Sequence, residues 1–75
     1  MKTLAELRVG DQGRVTEVLG FDDVAMRLME MGLVPSTEFV LIGSAPLGDP
    51  LELEVRGYRL SVRRSEAARI EVELL

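Results

Sequence analysis

The stretch from Phe21 to Pro35, FDDVAMRLMEMGLVP, carries the only convincing helical periodicity in this chain, and the segments beside it read as strands. Any fold must therefore wrap short strands around one short helix. Val24, Leu28 and Met31 fall at i, i+4 and i+7, with Ala25 and Met29 widening the same apolar stripe. Asp22 suits the N-cap, and Asp23 adds a carboxylate at the positive end of the helix dipole. Phe21 then falls at N′ and Met26 at N4, the spacing of a hydrophobic staple. At the other end Gly32 suits the left-handed C′ position, which makes Leu28 and Leu33 the apolar pair of a Schellman motif. Asp23 and Arg27 stand at the favourable i, i+4 spacing for a salt bridge. A helix of about ten residues is marginal alone and must be held by packing.

The flanks supply the packing. Thr3-Leu4-Ala5-Glu6 has capping-box spacing, which predicts one helical turn pressing Leu4 and Leu7 onto the core. A turn at Gly10–Gly13 leads into a strand over Arg14–Leu19. There Val15 and Leu19 share a face and Val18 takes the other, so a bulge or burial on both sides is required. Thr37–Ile42, TEFVLI, reads as a strand covered on both faces, by the barrel interior and the helix. Gly43–Pro50 is a loop, with Asp49 held extended by the proline after it.

Leu51, Leu53 and Val55 alternate with Glu52 and Glu54; Tyr58, Leu60 and Val62 alternate with Arg59 and Ser61. A two-residue turn at Arg56-Gly57 pairs Val55 with Tyr58, Leu53 with Leu60 and Glu54 with Arg59. A slip of one residue would ruin both faces, so this register is well specified. The turn type stays open, because arginine fits a positive φ poorly. Ser65–Ala68 reads as a brief helical turn, and Ile70, Val72 and Leu74 as alternate residues of a last strand. Five short strands with glycine at their ends close most economically into a small barrel. The expectation is a mainly β, five-stranded SH3-like barrel with one α-helix inserted between the first two strands. An OB-type barrel fits less well, since its helix usually lies between the third and fourth strands.

With 75 residues, the chain is expected to form one domain over residues 1–75. Its apolar runs are too short to span a bilayer, and MKTLAEL lacks the apolar core of a signal peptide. With no cysteine to place it in an oxidising compartment, a cytoplasmic location is expected. A net charge of −4 opposes a sequence-independent nucleic-acid binder, and glutamates accompany the cluster Arg56, Arg59, Arg63 and Arg64.

The absence of His and Cys removes the imidazole base, the thiolate, the zinc finger and the facial-triad iron site. No phosphate-loop spacing is present, and the serines have no base to activate them. The pairs Asp22-Asp23 and Glu71/Glu73 read as a helix cap and outward strand residues. The expected protein is not an enzyme and needs no cofactor. Binding remains, and a proline-rich peptide groove is disfavoured because it needs a row of exposed aromatics. Met26, Met29 and Met31 either fill an irregular core or offer an adaptable surface. The loop APLGDP is either a structural corner or a docking edge.

RLMEMGLVP (Arg27–Pro35), APLGDP (Ala45–Pro50) and VRGYRLSVRRSEAARIEV (Val55–Val72), after the opening LAELRVGDQGRV, resemble the FeoA family of bacterial ferrous-iron transport accessories. One departure is Ser36, where that family usually has glycine after the proline. The chain also resembles the SH3-like C-terminal domain of metal-dependent repressors, without their DNA-binding or metal-binding portions. The FeoA resemblance implies an SH3-like fold, a cytoplasmic place and a partner, the membrane ferrous-iron permease FeoB with its GTP-binding domain. The expected contact surface is the helix rim, Met26, Arg27, Met29, Glu30 and Leu33, together with Pro46, Leu47 and Asp49 of the loop. The rival readings are an Fe(II) carrier or sensor built on carboxylates, a stand-alone relative of the repressor domain, and an arginine finger using Arg27 or Arg56.

Overall fold

The computed structural model describes residues 2–75. In chain order it forms β1 (Lys2–Thr3), a 3₁₀ turn (Leu4–Glu6), β2 (Gln12–Val18), α1 (Asp23–Glu30) and β3 (Glu38–Ser44). There follow β4 (Leu51–Val55), β5 (Tyr58–Val62), α2 (Arg64–Ala67) and β6 (Ile70–Leu74). The strands make one antiparallel sheet in the order β1-β6-β2-β3-β4-β5, the mainly β architecture expected of an SH3-like fold. Among the described residues it has six strands and not five: the extra one is the two-residue β1, too short to carry any period. The helix therefore follows the second strand.

Three devices curl this sheet around its core. The register between β2 and β6 slips between Val15 and Glu17, so a bulge at Thr16 reconciles Val15 and Val18 with one interior. A second slip, between Leu41 and Gly43, bends β3 against β4. At Gly13, opposite Phe39, a Cβ would come within 2.7 Å of the Phe39 ring, so the aromatic covers the strand where glycine leaves a gap. The core gathers Leu4, Val15, Leu28, Leu33, Phe39, Leu41, Leu53, Val55, Val62, Ile70 and Val72. β3 is covered on one face only: Phe39 and Leu41 are buried, while Val40 and Ile42 on the other are half-buried. α1 packs mainly against β2, so it does not supply the second cover expected over β3.

The hairpin β4–β5 has the register read from its alternation, Val55 with Tyr58, Leu53 with Leu60 and Glu54 with Arg59. Its turn is of the primed kind, with φ of 51° at Arg56 and 85° at Gly57, which matches the strand twist despite the arginine.

Both ends of α1 are built as the sequence indicates. Asp22 Oδ1 accepts the Ala25 N–H at 3.1 Å. At the C-terminus Gly32 takes φ 110°, its N–H donates to Met29 O at 3.0 Å, and Leu33 N–H donates to Leu28 O at 3.2 Å. That is the complete Schellman pair of bonds, with Leu28 and Leu33 both buried. The hydrophobic staple is not formed. Phe21 is fully exposed and Met26 is 54% exposed, because the chain leaves β2 with Phe21 turned away from the helix. Met31 is only partly buried.

Candidate functional site

The residues singled out for partner contact fall on two elements, α1 and the loop before β4. On α1, Met26 and Met29 lie three residues apart on one face, 54% and 36% exposed, with Arg27 and Glu30 beside them in solvent. Leu33 does not belong with them. It is completely buried, because the Schellman turn folds it back onto Leu28, and so no partner can touch it in this fold. Phe21 takes its place as an exposed apolar group next to the helix. Sequence reasoning missed it by assigning it a staple partner. In the loop, Leu47 is 98% exposed and Pro46 is exposed beside it.

Asp49 is exposed, yet its carboxylate also holds structure together, since Oδ1 accepts the Arg64 N–H at 3.0 Å, at the first turn of α2. The Arg64 side chain reaches back, donating from Nε to Gly48 O at 2.5 Å and from a terminal nitrogen to Ala5 O at 3.2 Å. From the other side of α2, Glu66 pairs with Arg27 of α1. Arg27 therefore passes over the expected Asp23 for a carboxylate 39 residues away. Glu66 is the better partner because it is mostly buried, with a side chain only 16% exposed, and less screened by solvent. The four-residue α2 thus ties the helix rim on one side to the loop on the other.

The electrostatics around α1 reinforce its N-terminus. Arg69 donates to Asp22 Oδ1 at 2.5 Å. This bond, joined by the one from the Ala25 N–H, holds the Asp22 carboxyl below the usual carboxylate range and raises the Arg69 guanidinium. On the outer face of the sheet Arg14 reaches Glu73 at 2.7 Å on β6 and Glu38 at 3.4 Å on β3. Its pKa is raised, chiefly by the hydrogen bond to Glu73. All these carboxylates are spent on arginines or caps. Among the described residues no group of three or more Asp and Glu side chains stands where it could hold a metal ion. An open groove of about 250 Å³ lies between Val40, Glu54, Arg56 and Leu75, and none of the eight singled-out residues lines it. No helix among the described residues is long and apolar enough to cross a membrane.

The family model for the FeoA domain matches residues 2–74. A protein of Porphyromonas gingivalis described as a fusion of Fe(2+) transport protein A with the Fe(2+) transporter FeoB is 40% identical over 72 residues. The match covers 96% of this chain and only 8% of that protein. Among solved structures, FeoA of Chlorobium tepidum is 42% identical with a TM-score of 0.90, over 99% of this chain and 70% of that one. FeoA of Stenotrophomonas maltophilia complexed with zinc, described as a prokaryotic SH3 domain protein, is 34% identical with a TM-score of 0.84. There 97% of this chain and 91% of that one are covered. IdeR of T. acidophilum, at 20% identity and TM-score 0.85 over 34% of its chain, shares the fold alone. With a family model spanning nearly all of it and these relatives aligned over the same length, the chain belongs to the FeoA family, small SH3-like accessory domains of ferrous-iron transport that are not enzymes.

Proposed function

We propose that the chain is a non-catalytic module that docks on the cytoplasmic, GTP-binding part of an FeoB-type ferrous-iron permease and modulates transport or nucleotide turnover. The observation carrying this reading is the fusion: in P. gingivalis a segment 40% identical to this chain is part of one polypeptide with the transporter. Tethering raises the effective concentration of two modules for one another, so a fusion is favoured where the two work in contact. The docking surface in this reading is Met26, Arg27, Met29 and Glu30 with Pro46, Leu47 and Asp49, extended by Phe21. Exposed methionine and leucine beside charged residues give an apolar centre with a polar rim. A cytoplasmic location belongs to the same reading.

Calorimetric titration of the permease's isolated cytoplasmic domain with the chain tests it. The double variant Met29→Glu, Leu47→Glu is expected to bind at least about tenfold more weakly, roughly 1.4 kcal/mol, with an unchanged thermal midpoint. Unchanged affinity rejects this surface. Absence of any binding by the unaltered chain rejects the partner.

A further inference from the structure

Strand β5 ends the sheet opposite β1 and, among the described residues, has only β4 as a neighbouring strand. The two-residue turn makes Val55 and Tyr58 a hydrogen-bonded pair, and the register repeats this at Leu53–Leu60 and Leu51–Val62. The N–H and C=O groups of Arg59 and Ser61 therefore point away from the sheet. Among the described residues no other backbone group takes them, and both residues are exposed. On the outward face of β5 the charged side chains are basic, while Glu54 and Glu52 of β4 stand opposite Arg59 and Ser61. Arg59, Ser61 and Arg63 alternate along one face, since Arg63 keeps extended backbone with φ −68° and ψ 149° before α2 begins. Arg56, Arg59 and Arg63 form no ion pair among the described residues, where Arg14, Arg27 and Arg69 all do. In a chain of net charge −4, unpaired cations are gathered beside unpaired backbone donors and acceptors.

We infer that the free edge of β5 takes up an extended acidic segment of a partner polypeptide as a seventh strand. The main chain of that segment bonds Arg59 and Ser61, and its alternate carboxylates face Arg59 and Arg63. A second copy of this chain fits worse, because antiparallel pairing of two such edges sets the arginines of one against those of the other. The edge is distinct from the helix rim, so failure here leaves the docking reading of the previous subsection standing.

The probe is a short acetylated and amidated peptide alternating glutamate and valine, titrated into the isotopically labelled full chain and followed by NMR. The expected result is displacement of the Arg59 and Ser61 amide resonances, with exchange of those two amides slowed roughly tenfold at saturation. Binding weakens as salt is raised. A peptide with lysine in place of glutamate, and the glutamate peptide N-methylated at alternate residues, are each expected to bind at least about tenfold more weakly. Arg59→Glu is expected to weaken the glutamate peptide likewise. Equal binding of the N-methylated peptide overturns the inference in favour of plain charge attraction, in a comparison made wholly on unaltered protein. Absence of binding at about 1 mM peptide overturns it too, leaving the arginines as mere guards of a sheet edge. So does a concentration-dependent dimer abolished by Ser61→Pro, a change the outward N–H permits, since a second copy would then be the occupant.

Discussion

Ser36 holds a φ of 78°, a backbone conformation in which a Cβ crowds the following carbonyl. It is forced there by its surroundings: its N–H donates to Val15 O at 2.8 Å, and the next N–H, of Thr37, donates to Val34 O at 3.1 Å. The two bonds fix the entry into β3, so the residue must accept the strain. This is the position where the FeoA resemblance leads one to expect glycine, and the geometry gives the reason. Ser36→Gly removes an αL penalty of about 1 kcal/mol or more, partly offset by the extra freedom of glycine in the unfolded chain. The net expectation is a gain of roughly 0.5 kcal/mol and a rise of a few degrees in Tm for a domain of this size. Urea titration and calorimetry check it, and a loss of stability would mean that the serine side chain contributes more than its strain. Gly32 shows the same physics from the other side. At φ 110°, any Cβ there would also collide with the Tyr58 hydroxyl, which donates to Met31 O at 2.6 Å.

At the scale of elements, α1 is held at its start by one carboxylate with two donors, the Ala25 N–H and Arg69. Asp22 has a folded pKa below its ordinary value, so its contribution is complete above the unfolded pKa and is lost as pH falls through the folded one. Glu6, lowered chiefly by the Thr3 N–H it accepts, acts in the same sense at the 3₁₀ turn. With no histidine in the chain, stability is expected to be flat near neutrality and to decline below about pH 4. Asp22→Asn keeps a capping oxygen and removes the charge. Its stability deficit is therefore expected at pH 7 and should shrink steadily below about pH 4, as measured by urea midpoints across pH. A deficit independent of pH would mean that the charge on Asp22 does not matter. What could be read from the sequence at this scale depended on range. The caps of α1 and the β4–β5 register are set by residues within a few positions of each other, and both were legible. The bulge at Thr16 showed as a conflict, because an unbroken strand puts Val15 and Val18 on opposite faces. β1 left no trace, because Lys2 and Thr3 become a strand only by lying against Val72 and Glu71. Arg27 looked local because Asp23 was near, while its real partner Glu66 becomes adjacent only when α2 docks.

For the whole molecule, the question is whether the helix rim and the loop before β4 act as one surface. Nothing in their sequence joins them, and α2 is what does. Arg64 secures the loop through Gly48 O and the chain start through Ala5 O, and Glu66 secures α1 through Arg27. Arg64→Ala removes two charge-assisted bonds to exposed carbonyls while leaving its own N–H on Asp49. The expected cost is about 1 kcal/mol, a Tm fall of several degrees. Its distribution is the informative part. Hydrogen exchange should quicken at Ala45 and Gly48, whose N–H groups close the loop on Pro50 O and Ala45 O, and stay unchanged at Met26 in α1 and at Met31, its C-cap. Binding to the permease domain should weaken several-fold although Arg64 lies outside the docking surface, because Pro46 and Leu47 would no longer be presented in a fixed place. Uniform quickening in both elements would show that α2 supports the fold as a whole and does not serve as a local bridge. Loop exchange that quickens with no change in affinity would show that the loop is a corner of the barrel and that the helix rim docks alone.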